Sequence, residues 1–215
     1  MTSPLKIVLL AVCAMAIGGC GSPYYTVDPI EAWVVDADTG QPLEGAVVTA
    51  NWQLVSPGLD TGGRKLHQLE VMETLTDKNG RFFFPGFTKL NPRLLELRDE
   101  DPQILIFKSR YGYFRTSNNY PADKAWPGAN RSSPINHQTL RMAKADPDVR
   151  KYAFDLGFVT TGVTNILNSG NAGNIPRMIH ALACEQKRIE AIDPAASGFL
   201  SVPSSAGSEA HCEAS

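Results

Sequence analysis

The chain of 215 residues lacks any excess of basic charge: 20 Lys and Arg stand against 22 Asp and Glu, for a net charge of −2. A polyanion is held chiefly by neutralising its phosphates, so this balance, with no basic stripe and no nucleic-acid motif, argues against a DNA or RNA partner. Histidine and cysteine are both scarce, with four residues each. No Gly-x-Ser-x-Gly elbow and no Walker loop occurs, which removes two common signatures of nucleophilic and nucleotide chemistry, and no cofactor is expected. What is present is an ordinary globular composition, 43% hydrophobic, in a chain long enough for one well-buried domain.

The N-terminus carries a strong local signal. Lys6 is a positive n-region, Ile7 to Ile17 is an apolar h-region too short to span a bilayer, and Gly18-Gly19 are small residues of the cleavage type. This reads as an export leader, and its removal would leave a net charge of about −3. The residues Ile17-Gly18-Gly19-Cys20 resemble the lipobox of bacterial lipoproteins. That resemblance implies a signal peptide over residues 1–19 and an acylated, palmitate-bearing Cys20 as the mature N-terminus; the alternative is a leader with a chance cysteine. Several acyl chains, each contributing about 0.8 kcal/mol per buried methylene, would hold the protein on a membrane almost permanently. Gly21 stands where Asp marks inner-membrane retention in the enterobacterial pattern, so the expected place is the outer membrane, on its periplasmic side. Residues 20–29, rich in Gly, Ser, Pro and Tyr, are expected as a tether reaching at most about 30 Å.

From Ile30 the chain reads as short strands separated by turns. Ile30 to Leu54 is strand, turn, strand around Asp38-Thr39-Gly40-Gln41-Pro42. After a Gly-rich loop, His67 to Thr76 alternates imperfectly, and Asp77-Lys78-Asn79-Gly80 predicts a hairpin returning through Arg81-Phe82-Phe83-Phe84. Leu90 to Asp101 could hold one helical turn, Gln103 to Phe107 is a core strand, and further strands are expected near Tyr113 and over Gln138 to Met142. Trp33, Trp52, Tyr111 and Tyr113 fall in strand patterns and are expected in or near the core. About seven strands at this spacing favour a sandwich.

Three patterns make the resemblance specific: Asp-x-x-Thr-Gly-x-Pro-Leu-x-Gly-Ala-x-Val at Asp36 to Val48, Thr76-Asp77-x-x-Gly80-x-Phe82, and Lys108-x-x-Tyr111-Gly112-Tyr113. Together they resemble the carboxypeptidase regulatory-like domain over residues 30–143. This implies a mainly β fold, a transthyretin-like (prealbumin-like) β-sandwich, in a module that is itself non-catalytic; fold alone does not assign function. His67-Gln68-Leu69-Glu70 spells H-x-x-E, part of the metallocarboxypeptidase zinc signature, but residues i and i+3 of a regular strand face opposite ways. The expectation is therefore no metal and no enzyme, with a metal-dependent hydrolase as the runner-up.

Beyond Ala143 the apolar period lengthens. Asp146-Pro147-Asp148 offers an N-cap and a proline at the first helical position, and Val149, Tyr152, Leu156, Val159, Val163, Ile166 and Leu167 form one stripe. Asn168-Ser169-Gly170 closes that helix; Asn174 and Pro176 open a second, whose expected buried face is Met178, Ile179, Leu182, Ile189 and Ile192 and which Asp193-Pro194 ends. Residues 144–193 are thus a helical extension of two α-helices, and 194–215 a flexible C-terminal arm.

With Cys13 in the leader and Cys20 lipidated, Cys184 and Cys212 remain as an even pair in an oxidising compartment and are expected to be bonded. His180 and His211 lie near them, so free thiols and a His2Cys2 zinc site are the alternatives; adjacent ligands at His211-Cys212 make tetrahedral closure awkward. The connection from Arg115 to Asn136 is long and carries Tyr120 and Trp126. These two either form an aromatic platform for an envelope protein or glycan, or fold back over the sandwich end. The function expected is a membrane-anchored binding or structural module of the bacterial envelope, with a subunit of an envelope assembly as a further reading.

Overall fold

The structure is a computed structural model that describes residues 24–55, 66–90, 96–97, 102–117, 133–168, 174–200, 202 and 212. Within them ten strands precede two α-helices: β1 Tyr24–Val27, β2 Ile30–Asp36, β3 Val47–Val55, β4 Leu66–Leu75, β5 Arg81–Phe84, β6 Phe87–Leu90, β7 Glu96–Leu97, β8 Gln103–Phe107, β9 Phe114–Ser117, β10 Thr139–Met142, α1 Val149–Asn168 and α2 Pro176–Ile192. The chain is a β-sandwich followed by helices. The strands beyond the seven expected are β1, inside the segment expected as a tether, β6, and the two-residue β7, which lies where a helical turn was expected.

One sheet has the order β10-β2-β5, the other β4-β3-β8-β9 with β7 also on β3, and β1 and β6 form a separate ribbon. The β10–β2 pair is parallel; the others are antiparallel. Alternation in β2 and β3 builds the first core. Ile30, Ala32 and Val34 of β2 and Val48, Ala50, Trp52 and Leu54 of β3 are buried in one cluster with Phe82, Phe84, Ile104, Ile106, Leu140 and Met142. Trp52, 1% exposed, meets Phe84 and Phe87 edge-on at 6.4 and 5.1 Å between ring centres. Tyr111 packs against this cluster and Tyr113 against the other, while Trp33 is half-buried.

The opposite face of the larger sheet supports the helices, giving a third layer. Val47, Val71 and Phe107 join Tyr152, Leu156, Val159, Val163 and Ile166 of α1 and Met178, Ile179, Leu182 and Ile189 of α2. Strand β8 is apolar from Ile104 to Phe107 because Ile104 and Ile106 face one core while Leu105 and Phe107 face the other. The polar residues of β3 on the helical side, Thr49, Asn51 and Gln53, are buried as well, and the Asn51 side chain accepts a hydrogen bond from Gln68.

Asn79-Gly80 forms a turn, but not the expected hairpin. Thr76 is held at the end of β4: its N–H donates to Ala46 O at 2.9 Å, and its hydroxyl donates to Leu43 O at 2.5 Å. Four residues later Gly80 O accepts from Val34 N at 2.7 Å, and β5 pairs with β2. The turn therefore moves the chain from one sheet to the other. Paired with β2, Phe82 and Phe84 are buried in the core between the sheets.

Helix α1 begins two residues later than the proline pattern suggests. Asp148 is its N-cap, with Oδ1 accepting from Arg150 N at 2.9 Å and Lys151 N at 3.4 Å, and Pro147 precedes the cap. Gly157, which weakens the helix by propensity, lies against Phe199 O so closely that a Cβ would come within 3 Å. That contact seats a 3-10 turn, Ala196–Phe199, whose Ala196 is buried, and Leu200 beyond it is buried too. Ile192, expected in the buried face of α2, is instead exposed.

Helix α2 is capped by another element. Its N-cap residue Ile175 makes no side-chain cap, and Pro176 has no N–H to satisfy. The next two amides, Arg177 N and Met178 N, donate to the two carboxylate oxygens of Glu73 on β4 at 3.0 and 2.7 Å. Charge-assisted caps are worth about 1–2 kcal/mol. Glu73→Ala is expected to lose that amount in urea unfolding, with Glu73→Gln losing less.

Candidate functional site

Two carboxylates hold the polar parts of the interior together. Asp36 ends β2 and is buried; its Oδ1 accepts from Asp38 N at 2.9 Å and Thr39 N at 2.8 Å, and its Oδ2 accepts from the Tyr111 hydroxyl at 2.8 Å. Three of the residues that carry the sequence resemblance, Asp36, Thr39 and Tyr111, thus meet at one carboxylate and tie the turn after β2 to the turn after β8. The Thr39 amide and then the Tyr111 hydroxyl, against the opposing effect of burial, bring the Asp36 pKa down to about 2. A depressed carboxylate stabilises the fold above its unfolded pKa of about 3.9 and loses that contribution as the pH falls through the folded value. Hydrogen bonding lowers Asp146, Asp193 and Glu185 in the same direction. Stability is therefore expected to decline between about pH 4 and pH 2. Tyr111→Phe is expected to raise the Asp36 pKa, which a carboxyl NMR titration reads directly.

The second carboxylate lies beside a cleft of about 600 Å³ between the turn after β8 and α2. Lys108, Ser109 and Arg110 line one side; His180, Cys184, Glu185, Lys187 and Arg188 of α2 line the other. Arg110 is held at φ +66°, a left-handed conformation uncommon for a residue with a side chain. Glu185 is 2% exposed. Its Oε2 accepts from Ser109 Oγ at 2.6 Å, and its Oε1 accepts from Arg188 Nε and Nη2 at 3.0 and 2.6 Å. Burial pushes the Glu185 pKa up, but the hydrogen bonds from Arg188 and Ser109 outweigh it and the net shift is downward. The Tyr152 hydroxyl is buried beside this carboxylate without a well-aligned hydrogen bond, and burial followed by the Glu185 charge pushes its pKa up. The Ser109 hydrogen bond joins the turn after β8 to α2, while the ion pair with Arg188 lies within α2, so both carboxylate oxygens are engaged. Breaking such a pair leaves a buried charge uncompensated. Arg188 is one-third exposed, so Glu185→Ala is expected to lose about 2 kcal/mol in urea unfolding.

Sequence reasoning missed Glu185, although a signal was present: it falls in the apolar stripe of Met178, Leu182 and Ile189, where an acid is out of pattern. Cys184 and Cys212 are joined by a disulfide, with Cα atoms 5.5 Å apart. Neither sulfur is then a thiolate for a metal. His180 Nε2 lies 3.7 Å from Cys184 Sγ, and His211 is outside the described residues. No group of three or more His, Cys, Asp or Glu is placed to hold a metal among the described residues. The parity argument against His67 and Glu70 needs correction. A register shift at Trp52/Gln53 sets Glu70 opposite Trp52 and His67 opposite Leu54, alternate residues of β3, so the bulge brings both backbone positions to one face. The Glu70 carboxylate pairs with Lys89. Cys20, Tyr120 and Trp126 lie outside the described residues, and no described helix is long and apolar enough to cross a membrane.

No family model matches the sequence, and no curated protein matches it. Solved structures similar to the chain include 3-chlorocatechol 1,2-dioxygenase from Rhodococcus opacus 1CP, at 16% identity and TM-score 0.32, over 59% of this chain and 62% of that one. Catechol 1,2-dioxygenase from Pseudomonas arvilla C-1 follows at 18% identity and TM-score 0.32, over 59% and 55%. The C-terminal domain of the shaft pilin SpaA from Lactobacillus rhamnosus GG is similar at 13% identity and TM-score 0.25, over 58% and 100%. The chain thus spans less than two thirds of the length of these dioxygenases. The expectation that the chain is not an enzyme is withdrawn on this finding: proteins similar to it include enzymes, so the fold carries no such exclusion. Identities of 16 and 18% at TM-score 0.32 transfer no activity to it either.

Proposed function

We propose that the chain is a lipid-anchored protein of the bacterial envelope whose β-sandwich, of the carboxypeptidase regulatory-like kind, serves as a structural and binding module. The Cys184–Cys212 disulfide carries this reading, because such bonds persist in the oxidising compartments that an export leader serves. The lipobox-like residues before Cys20 supply the anchor. The Asp36, Thr39 and Tyr111 cluster supports the module, since it gives the residues of the resemblance one shared structural task. The contact surface assigned to it is the connection that follows β9, through Tyr120 and Trp126; Arg115 to Ser117, expected in that connection, belong to β9 instead. Replacing both with Ala is expected to abolish a partner captured by in-cell crosslinking while leaving the melting temperature unchanged. A fall in melting temperature with the crosslinks intact would make the connection a structural cover.

One observation favours the reading as a subunit of an assembly. Phe154, Phe158 and Phe199 are exposed and stack edge-on, at 5.4 and 5.8 Å between ring centres. Contiguous exposed aromatics of this kind mark interaction surfaces. A stoichiometric partner in detergent extracts, lost in Phe154→Ser/Phe158→Ser, is the expected result on that reading.

A further inference from the structure

The β1–β6 ribbon has two faces of different character. Tyr25 and Val27 are buried in the sandwich core, Phe87 packs against it, and Lys89 reaches the Glu70 carboxylate and the Leu69 carbonyl. The register sets Tyr24 opposite Leu90 and Thr26 opposite Thr88, which places these four residues on the other face. The Thr26 and Thr88 hydroxyls bond to each other at 3.2 Å. This outward face carries no charge, and its apolar end is open: Tyr24 is 52% and Leu90 57% exposed.

That apolar end is also the end of β1 nearest in sequence to Cys20. Only Gly21, Ser22 and Pro23 separate Cys20 from Tyr24. Four Cα steps span at most about 14 Å, less than half the reach of the tether expected from sequence. The polar zone on each side of a bilayer core is about 5–7 Å thick. An acyl group on Cys20 therefore keeps Tyr24 at or next to the headgroups. We propose that the outward face of the β1–β6 ribbon rests on the lipid headgroup surface, with Tyr24 and Leu90 inserted at the interface, so that the anchor fixes the orientation of the domain as well as its distance. This rests on the lipid anchoring proposed above.

The chemistry fits a lipid surface. Tyrosine is favoured at membrane interfaces, where its ring meets apolar groups and its hydroxyl meets water. Leucine gains by leaving water, and the two threonines already share a hydrogen bond, so contact requires no charge to be desolvated. A short tether also holds the ribbon at a high effective concentration at the bilayer, which makes a weak contact sufficient.

The test uses acylated protein extracted from membranes, its acyl mass verified, and reconstituted into phosphatidylethanolamine/phosphatidylglycerol vesicles with brominated acyl chains. Leu90→Trp adds a reporter on the ribbon; Phe158→Trp adds one on the helical layer, where the native residue is exposed. The added emission of Leu90→Trp is expected to be quenched at least about twofold more than that of Phe158→Trp. Equal quenching of the two overturns the placement while leaving the anchor intact. A Leu90→Trp signal protected by pairing with a second copy, seen as crosslinked dimers with no quenching, overturns it as well. Extracted protein without acyl mass removes the anchor, and the placement with it.

Discussion

Gly80→Ala is expected to cost about 3 kcal/mol or more and to leave the protein largely unfolded at moderate urea, whereas Gly40→Ala costs only about 1–2 kcal/mol. The two glycines have the same backbone conformation, φ +71° and +70°. They differ in what surrounds them. A Cβ at Gly40 meets nothing within 4 Å, so its penalty is that of a left-handed residue alone. A Cβ at Gly80 falls well inside contact distance of the Val34 carbonyl oxygen and lies 3.3 Å from Leu43 N. Those atoms cannot step aside, because Val34 O accepts from Leu43 N at 3.0 Å and Val34 N donates to Gly80 O at 2.7 Å. The clash therefore falls on the crossing between the two sheets. Urea midpoints of the two variants separate the effects; equal losses would mean that the corner is not packed as described.

Loss of the Cys184–Cys212 bond is expected to have an effect of similar size. The bond closes a loop between residues 28 positions apart. On the chain-entropy account a loop of that length contributes about 3.5 kcal/mol, or roughly 10 °C in melting temperature for a domain of this size. One end is fixed in α2, whose Met178, Leu182 and Ile189 are buried against the sheet, so the constraint is transmitted to the helical layer. Reductant added to the native protein and the double variant Cys184→Ala/Cys212→Ala should give the same melting temperature, and reductant should not change the variant further. A drop of less than about 1 kcal/mol in both would mean that the tail is not held by this bond in solution.

The parts of the fold legible in the sequence are those set by local periodicity. The strand formers of Ile30 to Asp36 mark a strand and the apolar spacing of Tyr152, Leu156, Val159 and Val163 marks a buried helix face, and both are present as expected. What was not legible depends on which elements come together. Asn79-Gly80 signals a sharp reversal but does not name the strand that receives β5, which is β2, with Phe82 and Phe84 buried in the core. The cap of α2 comes from Glu73, more than a hundred positions away, so no local pattern contains it. The Asp36 motif was recognised through its resemblance, but its cause emerges only when Tyr111 arrives from another turn. In the cleft the disulfide was legible from cysteine count and compartment, while the Glu185, Ser109 and Arg188 group is a tertiary arrangement marked in the sequence only by one misplaced acid.

The most direct test of the proposed anchoring and export is the intact mass of protein extracted from membranes, measured with and without reductant. The account requires acyl mass on a chain beginning at Cys20 and a gain of about 2 Da on reduction of Cys184–Cys212. A chain that retains residues 1–19 without acyl mass, or whose mass is unchanged by reductant because both thiols are already free, would contradict it.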